Sequence, residues 1–498
     1  MTLSYRWSAE VRETRLMQNN KGIYYESIPT STWPQIYHDA VSVARHFDTR
    51  YLWIDALCII QDDSDDWKEQ SALMDIIYER GVLNLAGIMG EKADGLRVCR
   101  DPLRVFRCAL SHPSGETWEL YDPVDEGIYV EDTLENAPLY KRGWTFQERV
   151  LSMRTLHFGP QLVWECSMCS TTENSSETSF PPAPTPSSVL KGALRNFDSS
   201  RVAKERLADL WQRAVATFSK MELTKPSDKL PALQGIVNRF GHSLNMDPIH
   251  YYIAGLWLFD SNQLAWFRIG KRDWLTTKDD DLARELSLHH PSWSWAISTE
   301  EIHFTDFDSA AQLVIFGADR GRGAAGLRSI TVDKCVSFVT LDNASSPLGT
   351  ATSVAITLQG KFIHWLNIRK ALKLWQPETH YFQALCGVPY PGGISLLQVL
   401  IMLDRPVPDS NMTKGMKLLP IWGCRDTHVG GILVVFCGFH DGLAVYRRLG
   451  YFEVRLRQPS SETLIHYLSL PNEPPKPFSG PTRELRRDFD EFPPFKLI

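Results

Sequence analysis

The sequence predicts an α/β N-terminal region, a parallel sheet flanked by helices, followed by a helical linker region and a β-rich C-terminal domain. Three observations carry this. Strand and helix patterns alternate over residues 3–86. Residues 51–60 form a near-continuous apolar run, YLWIDALCII, of the kind expected of a strand covered on both faces. From Tyr251 onward, short apolar runs alternate with Gly and Pro breaks.

Taken in order, Leu3-Ser4-Tyr5 is a short strand candidate. Residues 33–47 read as a helix, with Thr32 able to cap it and Pro34 suited to its first turn. In it Ile36, Tyr37, Ala40, Val41, Ala44 and Phe47 share one face. Residues 51–60 follow as the expected central strand. Residues 66–80 are a second helix with Trp67, Met74, Ile77 and Tyr78 inward, and 82–86 return as a strand. Strand, helix, strand, helix, strand argues for a parallel sheet. Further on, 145–151 read as a short helix, and Leu156-His157-Phe158 and Leu162-Val163-Trp164 as strands. Residues 170–188 are rich in Ser, Thr and Pro (FPPAPTPSS), as suits an extended, mobile linker. Residues 194–240 are mostly helical, with Leu207, Leu210, Trp211, Ala214, Val215 and Phe218 in one stripe. Later strand candidates are 330–341, 353–358, 431–439 and 443–446. The expected division is 1–169 for the α/β domain, 170–190 for the linker, 191–245 helical, 246–470 β-rich, and 471–498 a loose Pro-rich tail.

A chain of 498 residues, 43% apolar and 22% charged, has ordinary globular usage and room for two or three domains. The formal net charge of -6 argues against a nucleic-acid footprint built on a basic surface. No apolar run is long enough to span a bilayer, and the start has no secretory plan. Nine scattered Cys then suggest reduced thiols and a cytoplasmic location.

Several segments resemble the fungal heterokaryon-incompatibility (HET) family, in the family's order. Leu3-Ser4-Tyr5-Arg6-Trp7 resembles its opening LSYxWG. Ile28-Pro29 and Asp39-Ala40 resemble LPxTxxDA, and RYLWIDALCIIQD (50–62) is close to verbatim. Asp66-Trp67 and MDIIY (74–78) resemble the helix that follows. RGWTFQERVL (142–151), with Leu156-His157-Phe158-Gly159 and Trp164-Glu165-Cys166, resembles the closing motif. The resemblance covers about 1–170 and implies a TIR-like fold and a self/non-self recognition factor that triggers programmed cell death. It implies action as a signalling or assembly module with protein partners or with itself. It also raises an alternative, a TIR-like NAD glycohydrolase with NAD as substrate, and a further one, an inactive family member. The family carries a strand ahead of LSYxWG; here the sequence starts at Met1-Thr2, so either the sequence is short or the edge strand of the sheet is lost. The family's acidic position three after Trp67 is Gln70 here, with Glu69 one earlier.

The candidate catalytic residues are Glu148 and Glu69, and the candidate ligand cleft is Asp55, Arg142, Trp144, Gln147 and Arg149. Asp55 lies inside an apolar run, where a carboxylate needs a partner. It either faces a crevice at the strand's carboxyl end or is anchored by Arg149 or Arg142. Glu69 follows Asp66, and Glu148 follows Thr145, in S/T/D-x-x-E form, so each either caps its helix or carries chemistry. In the second reading Arg142 and Arg149 meet phosphates, Trp144 stacks and Glu148 holds a ribose hydroxyl. Cys166-x-x-Cys169 is a single pair without the further ligands that structural zinc requires, so no metal is expected. The G-x-G-x-x-G at 321–326 precedes a strand pattern and reads as a glycine loop.

Overall fold

A computed structural model of the protein describes residues 1–89, 95–97, 108–120, 133–173, 186–195, 201–268, 286, 290–304, 332–334, 336–342, 355–360, 363–364, 381–390, 393–404, 416–424, 428–440, 442–456 and 495–497. The 321–326 glycine loop, most of the Ser/Thr/Pro stretch and nearly all of the 471–498 tail lie outside these residues. The chain divides into two compact units, Met1–Asp247 and Pro248–Ile498.

In the first unit, strand β1 (Thr2–Ser4) is followed by helices α1 (Ala9–Glu13), α2 (Lys21–Glu26), α3 (Gln35–His46), α4 (Asp55–Cys58) and α5 (Ser64–Arg80). Then come β2 (Asn84–Gly87) and a separate hairpin of β3 (Cys108–Ser111) with β4 (Thr117–Leu120). Helix α6 (Trp144–Leu151), strands β5 (Arg154–Phe158), β6 (Leu162–Cys166) and β7 (Ser170–Thr172), and helices α7 (Pro186–Arg195), α8 (Arg201–Ser219) and α9 (Gln234–Leu244) complete the unit. The main sheet runs β1-β2-β5-β6-β7. Strands β1, β2 and β5 are parallel, and β6 and β7 are antiparallel to their neighbours.

The expected all-parallel sheet is therefore corrected to a mixed one. Only three residues separate β5 from β6, and three separate β6 from β7. Links that short can only reverse the chain, because parallel neighbours need a crossover of about a dozen residues.

The expected central strand at 51–60 is also corrected. Trp53 makes one isolated parallel bridge to Thr2 at the sheet edge, and Asp55–Cys58 is a turn of helix. The Asp55 carboxylate accepts its neighbour Ala56 N–H at 2.7 Å, and the chain turns there. Ile54, Ala56, Ile59 and Ile60 are nevertheless buried. Continuous apolar character reports burial, and does not by itself separate strand from helix. The core beside the edge gathers Leu3, Tyr5, Tyr37, Ala40, Ile54 and Leu85.

The helical segment packs into the first unit. The predicted stripe Leu207, Leu210, Trp211, Ala214, Val215 and Phe218 is buried, with Trp211 edge-on to Phe240 of α9 at 5.2 Å. Phe146 of α6 meets Phe218 at 5.9 Å, and Asn238 of α9 donates to Asp75 of α5 at 2.9 Å. Ser170–Thr172 is the edge strand β7, with Ser170 and Thr172 buried, and Pro186–Arg195 is helix α7. Both ends of the expected linker are thus ordered parts of this unit.

The second unit is β-rich, as expected. Its large sheet is mainly antiparallel and includes Gly393–Leu403, Met416–Cys424, His428–His440 and Leu443–Leu456. The buried guanidinium of Arg448 lies over the Trp266 ring at 3.6 Å and pairs with Asp404 at 2.8 Å. Among the described residues, no helix is long and apolar enough to cross a membrane.

Candidate functional site

Ser4 is the last residue of β1, and its neighbour Asn84 opens β2. Parallel pairing of these strands sets Thr2 against Asn84. Thr2 Oγ1 donates to Asn84 Oδ1 at 2.9 Å, and Asn84 Nδ2 donates to Ser4 Oγ at 3.1 Å. Ser4 Oγ in turn donates to Glu148 Oε2 at 2.5 Å. All four side chains are buried. The result is a directed chain of hydrogen bonds from the sheet edge to a carboxyl group that enters from α6.

Glu148 does not cap its helix. Helix α6 begins at Trp144 after Gly143, and Thr145 Oγ1 donates to the Leu139 and Arg142 carbonyls, so the Thr145–Glu148 capping box does not form. Burial pushes the Glu148 carboxyl up to about 7, and the Asp55 charge adds to the rise. Hydrogen bonds from Ser4 and Tyr78 and the Arg142 charge act against it.

Asp55 opens α4, just past the Trp53 bridge, and so lies at the same carboxyl end as Ser4. Trp7 Nε1 donates to its Oδ2 at 2.9 Å. Burial raises the Asp55 carboxyl, opposed by hydrogen bonds from Tyr5 and Trp7 and by the Arg142 charge. The Tyr5 and Tyr37 hydroxyls lie 3.0 Å apart, and burial first, with the Asp55 charge also contributing, raises both phenols far above neutrality. They remain donors at every physiological pH. Arg142 Nη1 donates to the Tyr5 carbonyl at 2.6 Å, and its charge acts on both carboxyl groups. Trp7, Asp55 and Arg142 are half-buried, so the cluster meets solvent on that side.

The other candidates lie elsewhere. Arg149 is buried on a different face of α6. Its Nε and Nη2 donate to Glu165 Oε2 at 2.9 and 2.6 Å, and its guanidinium stacks 4.6 Å over the Tyr140 ring. Lys191 Nζ of α7 lies 3.0 Å from Glu165 Oε1. Burial raises Glu165, but these two cations more than reverse it and hold the carboxylate ionised. Burial lowers His157, against the Glu165 charge, to about 3, so it stays neutral in this nest. Of the two anchors considered for Asp55, the neighbouring one is Arg142. Gln147 is buried against α9, where a Cβ on Gly235 would sit 2.8 Å from its Oε1. Trp144 is edge-on to Trp67 at 5.8 Å, and its Nε1 donates to Asp228 at 3.3 Å. Glu69 is exposed on α5, whose cap is Asp63, so of its two readings the Asp66–Glu69 capping box does not form.

The structure thus joins Asp55, Arg142 and Glu148, and adds Ser4, Tyr5, Trp7, Tyr78 and Asn84, which were not on the candidate list. Ser4, Tyr5 and Trp7 fall within the opening motif, and motif density there was the available signal. Nothing marked Asn84. Chemically, the cluster is two carboxyl groups beside one guanidinium. One of them can hold or release a proton near neutral pH, which suits general acid–base work or a grip on a sugar hydroxyl. Among the described residues, no group of His, Cys, Asp and Glu is arranged to hold a metal ion.

Residues 1–148 match the family model described as Heterokaryon incompatibility protein (HET), a match that ends on Glu148 itself. No curated protein and no solved structure matches the chain.

Proposed function

Because residues 1–148 are a HET domain, we propose that the protein is a fungal heterokaryon-incompatibility factor whose first unit triggers programmed cell death. The family match carries this reading. The protein works in the cytoplasm as a signalling or assembly module, recruiting protein partners or further copies of itself. Induced expression in hyphae tests it: the wild-type chain should kill the compartments that express it. Healthy growth at high protein level would overturn it.

A specific observation favours a second reading, a TIR-like NAD glycohydrolase. Burial lifts Glu148 to about 7, the Asp55 charge adds to the rise and the Arg142 charge opposes it, so the three groups act on one another. In that reading Arg142 meets the pyrophosphate and the Trp7 ring offers an apolar wall. A carboxylate steadies the oxocarbenium-like ribose as its bond to nicotinamide breaks. Water then adds to the ribose carbon, and its proton passes to the carboxyl pair. Glu69 takes no part, being exposed on α5, and Gln70 donates to Asp66 at 3.4 Å. Incubating pure protein with NAD and measuring free nicotinamide separates this reading from a purely assembling module and from an inactive family member.

A further inference from the structure

Cys166 closes β6 and Cys169 immediately precedes β7, with Ser167 and Met168 forming the turn between them. The Cys166 N–H donates to the Cys169 carbonyl at 2.9 Å, so the two residues face each other across the hairpin's last rung. Their Sγ atoms are 3.8 Å apart and unbonded, both residues are half-exposed, and Met168 at the tip is 82% exposed. Opposed residues on such a rung have Cα atoms roughly 5.5 Å apart, inside the range a disulfide spans.

The two sulfurs are not equivalent. The Met168 N–H donates to Cys166 Sγ at 3.4 Å. Burial works against a thiolate at Cys166, but bonds from the Met168 and Cys169 N–H groups and from the Cys169 and Trp164 side chains outweigh it and lower the thiol. Burial raises Cys169, and the Cys166 charge adds to this. The remaining described free cysteines, Cys58 and Cys437, are also raised by burial.

We propose that the Cys166–Cys169 turn is a dithiol site for exchange with low-molecular-weight disulfides, with Cys166 as the attacking sulfur and Cys169 as the resolving one. The Cys166 thiolate attacks one sulfur of the reagent, whose S–S bond breaks, and a thiolate leaves and takes a proton from solvent. Cys169 loses its proton to solvent and attacks Cys166 Sγ, expelling the second reagent thiol. Two protein thiols are oxidised and one disulfide is reduced to two thiols. Helix α7 lies against the turn: a Cβ on Gly192 would sit 3.1 Å from the Ser167 carbonyl. The site stands apart from the Asp55–Glu148 cluster and does not rest on its assignment.

The test uses the full reduced chain and glutathione disulfide, with acid quenching, trypsin and mass spectrometry of peptide 155–191. That peptide holds Cys166 and Cys169 and no other cysteine. The wild-type peptide should become lighter by two hydrogen atoms. C169S should stop as the glutathione mixed disulfide at Cys166, and C166S should be modified at Cys169 at least about tenfold more slowly. Iodoacetamide rates on the wild-type chain give a check free of substitution, with Cys166 reacting at a lower pH than Cys58 or Cys437. A peptide that remains dithiol while Cys58 or Cys437 is modified would overturn the proposal. So would equal reactivity of the two single variants.

Discussion

Burial lifts Glu148 to about 7 from its ordinary 4.5, so the folded protein keeps a proton that the unfolded chain releases. Between those two values the native state binds more protons, and stability falls as pH rises. Below about 4.5 both states hold the proton, and above about 7 neither does, so the loss is confined to that window. E148Q removes the titration while keeping the size and an acceptor for Ser4. The wild type should therefore lose on the order of 3 kcal/mol relative to E148Q between pH 4.5 and 7, read from urea midpoints; a constant difference would contradict the burial argument. S4A removes a bond that favours the charged form, and should move the Glu148 titration above about 7 by NMR. Little of this was legible in the sequence. The capping pattern at Thr145 and Glu148 was plain, but the partner that Glu148 takes is 144 residues away on β1. Sequence pattern reports neighbours three or four residues apart, and a contact made by strand pairing leaves no such mark.

Helix α6 has two chemical faces, and they carry different loads. Glu148 points to the sheet edge, and Arg149 points into the nest of Glu165, Lys191 and His157. Removing Arg149 leaves Glu165 buried with a single cation. R149A should cost about 3–5 kcal/mol by denaturant unfolding, as for other broken buried pairs. K191M leaves Glu165 its two Arg149 bonds and replaces a buried ammonium with an apolar chain of similar length, and should cost less than half as much. Equal losses would show that the nest does not centre on Arg149. At this scale the sequence was readable where periodicity was long. The α8 stripe and the inward Met74 and Tyr78 of α5 are buried as its spacing requires. It misled at 51–60, where Ile54, Ala56, Ile59 and Ile60 are buried by a bridge and a turn instead of a strand. The three-residue link between the strand patterns at 156–158 and 162–164 is too short for a parallel crossover, which is where the sequence marks antiparallel pairing.

For the whole molecule, the first compact unit runs well past the HET match, to Asp247. Lys191, Leu190 and Leu194 of α7, Trp211 and Phe218 of α8 and Phe240 of α9 are all buried within it. A fragment of residues 1–247 should unfold cooperatively, whereas 1–169 should expose the faces those helices cover and aggregate or bind a hydrophobic dye. Cooperative unfolding of 1–169 alone would make α7–α9 an appendage. That extent was not readable from composition, because the Ser/Thr/Pro stretch looked like a boundary while the chain on either side of it returns to one core. In the NAD-cleaving reading proposed above, this unit triggers cell death through the carboxyl cluster at the carboxyl end of β1. The most direct measurement is the fraction of dead hyphal compartments on expression of wild type or E148Q at matched protein level, with E148Q shown to be folded by its urea transition. The account predicts that E148Q is at least as stable as wild type at neutral pH and no longer kills. A folded E148Q that kills as efficiently as wild type would contradict it.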